Sequence, residues 1–281
     1  MSDEETPQGA GVPRLPRAGD DKYTRGVVGV RTGSDAYPGA AVLGVEAAWR
    51  TGVGMVRYVG SERAASLVLQ RRPETVVGPG RVQAWVIGSG TDAATRPAEE
   101  TAALRDILAG SIPVVVDAGA LDLAPEAAAP VLVTPHAREH DVLRERLGLA
   151  PVPRDADDDA RADAARATAR ALGGAVLLKG AVTILASPRG DAERVSAGTP
   201  WLATAGTGDV LAGCLGALVA SAATVTAPDA DALARIGVIG ATLHGRAAAL
   251  AAEELGPQGG PITALDVADA LPRAVAEALA G

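Results

Sequence analysis

Short apolar runs alternate along the chain with longer segments of helical periodicity, and no other feature constrains the fold as strongly. The runs are Val27-Val28-Gly29-Val30, Met55 to Val59, Ala84-Trp85-Val86-Ile87, Val114-Val115-Val116, Val131-Leu132-Val133, Ala175 to Lys179 and Val182 to Ala186. Strands apolar on both sides of the pleat must be covered on both faces, and helix-length connections between strands imply parallel pairing. Helices are expected over 40–50, 97–108, from 139 through about 147, 155–172, onward from Val210, 229–254 and 264–280. The two strands before and after Gly180 are joined there, and Pro188-Arg189-Gly190-Asp191 is a hairpin turn. The pattern predicts one layered α/β domain with a mostly parallel sheet, without internal repeat.

Composition narrows the class. The 281 residues include no Phe and 2% aromatics, so Ala, Val and Leu must fill the core. A net charge of −8 argues against a general nucleic-acid or membrane-surface binder. A lone cysteine, Cys214, excludes an internal disulfide framework and suits a reducing compartment. Residues 1–20 are acidic, rich in Pro and Gly, and lack an apolar signal core; they read as a disordered leader before a domain over 21–281. Together these features point to a cytoplasmic protein.

In an open α/β sheet, ligands bind beyond the carboxyl ends of the strands. The polar and glycine-rich clusters of this chain fall at those ends. The richest is Gly198 to Gly213, in which Gly206-Thr207-Gly208-Asp209 opens an apolar helix. The first amides of a helix lack internal partners and its dipole favours anions, so the turn is a phosphate cradle. Asp209 at that tip is expected to be held ionised, as a base beside a nucleotide. The alternative is an ordinary helix cap.

Other clusters add candidates. Gly88-Ser89-Gly90 follows a strand and loosely matches the dinucleotide fingerprint, but a ribose-binding acid at the usual distance is missing; a turn that lets a ligand approach fits better. No Walker A pattern occurs. His136, in Thr134-Pro135-His136, stands at a helix start and is read as a substrate hydrogen-bonding group, with Glu139 a first-turn acid. His140 and His244 are read as surface or packing residues, and three His with one Cys do not make a zinc site. Lys179-Gly180 offers a cation and bare backbone to a phosphate or adenine, unless the lysine points to solvent. Asp117 either orients a site residue or caps its loop. Trp201 either stacks on a base or packs beneath its loop, and Cys214 is a small core residue.

Tyr37-Pro38-Gly39-Ala40-Ala41, Thr134-Pro135-His136-x-x-Glu139, Leu178-Lys179-Gly180-Ala181-Val182-Thr183 and Ala203 to Leu211 occur in a recognisable order. From about Lys22 to the C-terminus the chain resembles the ADP-dependent NAD(P)H-hydrate dehydratase family. The resemblance implies a ribokinase-like α/β/α sandwich. It also implies dehydration of the S-form of hydrated NAD(P)H, with release of AMP and phosphate. It assigns Ala40, Ala41, Gly90, His136 and Asp209 to the hydrated cofactor, with Asp209 catalytic. Lys179, Gly180, Ala181, Val182, Thr183, Gly206, Thr207 and Gly208 fall to the nucleotide. It further implies ADP or ATP as co-substrate, Mg²⁺ with ligands unassigned, a homotetramer, and pairing with a separate NAD(P)H-hydrate epimerase, the leader being too short to hold one. Two positions depart from the family pattern: Ala205 stands where a second Gly is frequent, and Thr199 where Asn is common. The competing readings are a vitamin or sugar-alcohol kinase of the same fold and a catalytically idle nucleotide sensor.

Overall fold

Val114 and Val116 pack into one hydrophobic core and Val115 into another, as an unbroken apolar strand requires. The same division recurs with Val131 and Val133 against Leu132, and with Val176 and Leu178 against Ala175 and Leu177. Successive side chains of a strand point to opposite faces, so these residues place the sheet between two layers of helices.

The computed structural model describes residues 13–196 and 198–280. In chain order the elements are β1 (Val27–Arg31), α1 (Gly39–Thr51), β2 (Met55–Tyr58), α2 (Glu62–Arg71), β3 (Val76–Val77), β4 (Ala84–Ile87), α3 (Ala98–Leu108) and β5 (Val114–Val116). A 3-10 stretch (Ala118–Glu126), β6 (Val131–Val133), α4 (Ala137–Arg146), α5 (Asp158–Leu172), β7 (Ala175–Leu178), β8 (Val182–Ala186) and β9 (Ala192–Ser196) follow. A short 3-10 turn (Pro200–Leu202), α6 (Thr207–Ala222), α7 (Ala230–Glu253) and α8 (Ala264–Ala280) complete the fold. The described strands form one nine-stranded sheet in the order β3-β2-β1-β4-β5-β6-β7-β8-β9. Pairing is parallel from β3 to β7 and antiparallel from β7 through β9. Helices α1, α2, α6, α7 and α8 cover one face; α3, the longer 3-10 stretch, α4 and α5 cover the other. This is the layered arrangement expected from the strand pattern.

A core without phenylalanine packs by close backbone approach. A Cβ at Gly213 would lie 2.1 Å from the Gly44 carbonyl oxygen, so α6 and α1 meet almost backbone to backbone. Glu46 on α1 is fully buried among Arg50, Arg71 and Arg72, which tie α1 to α2. Burial alone would raise its carboxyl, but the three guanidinium groups outweigh it and hold it at about 2. Asp157 and Asp229 cap α5 and α7 by accepting from the Ala160 and Ala232 amides, each at 2.8 Å.

Several boundaries differ from expectation. Helix α2 and strand β3 were not anticipated, because Ala64, Ala65 and Val68 are the only buried side chains of α2. Helix α5 begins at Asp158 rather than Asp155, its turn being set by the Asp157 cap. Of the expected leader, residues 1–12 lie outside the described residues, while Pro13 is buried and Arg14 pairs with Asp20 at 2.7 Å. No described helix is long and apolar enough to cross a membrane.

Candidate active site

Sheet register brings the polar strand ends together. Ile87 pairs with Val116 and Val116 with Val133, so the residues that follow, at 88–89, 117 and 134, leave the sheet side by side. Asp117, 3% exposed, sits at the middle of this edge. Its carboxylate accepts from Ser89 Oγ at 2.8 Å, Thr134 Oγ1 at 2.7 Å and Lys179 Nζ at 2.8 Å. Burial would raise its pKa, yet the Lys179 charge and these hydrogen bonds prevail and hold it below the ordinary carboxylate value. Lys179 in turn is desolvated, but Asp117, Glu139 (3.9 Å away) and Asp209 keep its ammonium charged. Asp117 therefore holds the Lys179 ammonium and makes no side-chain cap on the stretch that follows it.

The tip of α6 faces this pair. Gly206, at φ 87°, is in the left-handed region that favours glycine and sets the turn into the helix. Thr207 Oγ1 donates to the carbonyls of Thr204 (2.9 Å) and Leu202 (3.2 Å), fastening the preceding loop to the helix start. A methyl group at Gly208 would lie 3.7 Å from Lys179 Nζ, so the ammonium stands over the bare tip. Asp209 is not held ionised as the sequence implied. Burial first, and the Asp117 carboxylate second, raise its pKa to about 7, with Lys179 opposing. The helix end does not outweigh desolvation beside a second, permanently charged acid.

A cavity of about 490 Å³ opens on one side of the tip. Lys179, Gly180, Ala181, Thr183, Thr207 and Gly208 line it, together with a wall that includes Pro200, Leu202, Leu211 and Ala241. Val182 and Gly206 are not among its lining residues: Val182 turns its carbonyl to Arg161, and Gly206 is packed against Leu43 and Ala264. Pro200, Leu202, Ala203 and His244 were missed as cavity residues. Trp201 is 43% exposed and packs beside Gly259 rather than lining the cavity. Cys214 is a buried free thiol, pushed up to about 11 by burial, as a core residue should be.

A second cavity, about 680 Å³, is lined by residues from Arg31 to Tyr37, Thr91, Asp92 and Arg96 among others. Gly90 and Ala40 meet beside it: a Cβ at Gly90 would fall 2.5 Å from Ala40 Cβ. Ala40 (8% exposed) and Ala41 (0%) are packed behind Gly33 and Gly90, so they shape the loop rather than project from it. Thr32 Oγ1 is buried at this cavity without a hydrogen-bond partner among the described residues. His136 lies apart, in a depression of about 240 Å³ with Glu139 and Ala93. It caps α4: Nδ1 accepts from the Glu139 amide at 3.2 Å, and the Glu139 carboxylate accepts from the His136 amide at 2.8 Å. Residues 91–93 stand between this depression and the larger cavity, Thr91 and Asp92 lining one and Ala93 the other. His140, by contrast, is buried against Thr168, a packing residue as read.

A carboxyl raised to about 7, a cationic bare helix tip and cavities near it are the kinds of parts that moving a phosphoryl group to or from a hydroxyl requires. Known proteins are similar to this chain in sequence and in fold. A bifunctional NAD(P)H-hydrate repair enzyme of Mycobacterium leprae is 42% identical over 262 residues, covering 89% of this chain and 51% of that protein. An ADP-dependent (S)-NAD(P)H-hydrate dehydratase of Xanthomonas campestris is 34% identical over 230 residues, covering 73% of this chain and 76% of the relative. The chain spans about half the length, or less, of the first curated relatives it matches. Among solved structures, the ADP/ATP-dependent NAD(P)H-hydrate dehydratase of Bacillus subtilis, co-crystallised with ATP and Mg²⁺, superposes with a TM-score of 0.79 at 28% identity, covering 96% of this chain and 95% of that one. In fold alone the layers also match a ribokinase of Cryptococcus neoformans, at 12% identity and a TM-score of 0.54. With the NAD(P)H-hydrate dehydratase family model matching residues 28–273, the chain belongs to that family.

Proposed function

We propose that the chain dehydrates the S-form of hydrated NAD(P)H at the expense of ADP or ATP, ADP giving AMP and phosphate. The observation that carries this reading is the tip of α6: Thr207 and Gly208 line a cavity of about 490 Å³ with Lys179, and Asp209, which follows them without lining it, has its pKa raised to about 7. A general base works best when its pKa lies near the operating pH. The nucleotide's base lies along Pro200, Leu202, Leu211 and Ala241, with its phosphates toward Gly208 and Lys179. The hydrated nicotinamide reaches Asp209 from the side of Ala40, Gly90 and the larger cavity, with His136 at its margin.

Asp209 takes the proton of the C6 hydroxyl as that oxygen attacks the terminal phosphoryl group. The bond from phosphorus to the leaving nucleotide oxygen breaks, and the Thr207 and Gly208 amides with Lys179 offset the charge on the transferring group. The ring nitrogen's lone pair then expels phosphate from C6, and loss of a proton from C5 restores the double bond. Mg²⁺ would be held through the nucleotide phosphates and water and would offset phosphate charge when bound; among the described residues no cluster of three or more His, Cys, Asp or Glu stands ready to hold it. Cytoplasmic location, assembly as a homotetramer and pairing with an epimerase activity complete the reading; light scattering of the purified protein tests the tetramer.

Incubation with hydrated NADH and ADP or ATP tests the reaction. Absorbance of reduced nicotinamide should rise in step with free phosphate. A stable phosphorylated product without free phosphate would make the protein a kinase of the same fold. Nucleotide binding without any turnover would make it a sensor.

A further inference from the structure

Hydrated NADH carries a pyrophosphate and hydrated NADPH one phosphate more, and the larger cavity is poorly charged to meet them. Its two lining arginines are engaged, Arg31 with Glu100 at 2.6 Å and Arg96 with Asp122 at 2.9 Å. Asp35, Asp92 and Glu99 on the same lining have no ion pair among the described residues, so its excess charge is negative. The depression beside His136 has the opposite balance. Its carboxylates are matched, Asp122 by Arg96 and Glu139 by the His136 amide and Lys179. Arg138 and Arg146 also line it, both exposed, about two helical turns apart on one side of α4. Neither guanidinium group makes a hydrogen bond or ion pair among the described residues. Glu126, whose charge reaches Arg146, is itself paired with Arg105 at 2.8 Å. A guanidinium group left unpaired presents a fork of donors that matches phosphate oxygens.

We propose that Arg138 and Arg146 bind a phosphate group of the hydrated dinucleotide, making the depression on α4 a subsite for the end of that substrate remote from the nicotinamide. The inference rests on the reading of the protein as a dehydratase of hydrated NAD(P)H. The dinucleotide crosses residues 91–93 past His136, and its phosphates leave the carboxylates of the larger cavity for the two free cations.

Steady-state kinetics with hydrated NADH and hydrated NADPH, at saturating ADP, test this in the wild type, R138A/R146A, R138K/R146K and R81A. Both positions on α4 are exposed and Ala is a strong helix former, so the double variant should keep the wild-type fold. R138A/R146A should raise KM for the hydrate about 3- to 30-fold, the scale of two exposed charge pairs, with kcat and KM for ADP unchanged. R138K/R146K, which keeps the charge, should recover part of the loss. R81A removes an exposed cation just before β4, at the opposite edge of the sheet, and should leave KM at the wild-type value. In the wild type alone, KM for the hydrate should rise with added salt, a readout that needs no variant to fold. A rise for both hydrates places the pyrophosphate in the depression; a rise for hydrated NADPH alone places its additional phosphate there. Unchanged KM for both hydrates in R138A/R146A, an equal rise in KM for ADP, the same rise in R81A, or a wild-type KM indifferent to salt would each overturn the proposal while leaving the dehydratase reading standing. Turnover of neither hydrate by the wild type would overturn both.

Discussion

Replacing Asp209 by Asn separates what this carboxylate does for turnover from what it does to the fold. Its pKa rises from the ordinary 3.8 to about 7 on folding. About 3 pH units at 1.36 kcal/mol each set a ceiling of roughly 4 kcal/mol on the destabilisation from the ionised form. Asp209 is only partly buried, so solvent screening reduces this, and about 2 kcal/mol is the working expectation. Below pH 4 the carboxyl is protonated whether the chain is folded or not, and Asn should change little. Between pH 4 and 7 the unfolded state ionises while the folded state resists, so wild-type stability is progressively lost. Above pH 7 the loss is complete. D209N, being neutral, escapes it. Its melting temperature should match the wild type at pH 4 and exceed it by about 4–8 °C at pH 8.5, using 2–4 °C per kcal/mol for a chain of this size. Turnover should fall about 10²- to 10⁴-fold above pH 7, where the wild-type carboxylate is ionised, and by progressively less as the pH drops below it. Calorimetric melting of both proteins across that range is the assay. A melting difference equal at pH 4 and pH 8.5, or absent at both, would refute the claim that folding strains this carboxylate.

Removing the neighbours should move the acid limb of the kcat/KM profile, which falls below about pH 7 as Asp209 protonates. K179M shifts the limb to higher pH by taking away the opposing cation. D117N shifts it to lower pH by removing the like charge, and it destabilises the fold by about 3–5 kcal/mol because Lys179 loses a buried partner; pH–rate profiles and urea titration read the two effects. G213A forces a methyl group against the Gly44 carbonyl, 2.1 Å away, and should cost about 1–3 kcal/mol without moving the pH profile; a melting temperature at the wild-type value would contradict the close α1–α6 contact. H136A removes the α4 cap and should cost about 1 kcal/mol, with a higher KM for the hydrate and an unchanged KM for the nucleotide; a loss of stability alone would confine His136 to capping.

The sheet and the glycine tip were legible because their signals are local. Val114-Val115-Val116 reads as a doubly covered strand wherever it sits, and Gly206-Thr207-Gly208 reads as a bare helix start. The Asp117 cluster was not legible, because Ser89, Thr134 and Lys179 come from separate strand ends and meet only through register. His244 was read as a surface or packing residue because its place at the cavity depends on how α7 lies against α6, which no stretch of sequence encodes. The charge state of Asp209 was misread for the same reason: helix-end electrostatics can be inferred from position, whereas desolvation and a second acid cannot.

That second acid explains why one site can hold two carboxylates in different states. Asp117 accepts three hydrogen bonds, one from a cation, and stays ionised. Asp209 feels both that charge and the Lys179 ammonium but has no comparable set of donors, so burial and repulsion carry its pKa upward. Neighbouring acids whose surroundings drive their pKa values apart divide the work between them. Asp117 is then the fixed charge that holds Lys179 over the helix tip. Asp209 is left as the group able to take up a proton near neutral pH and release it again.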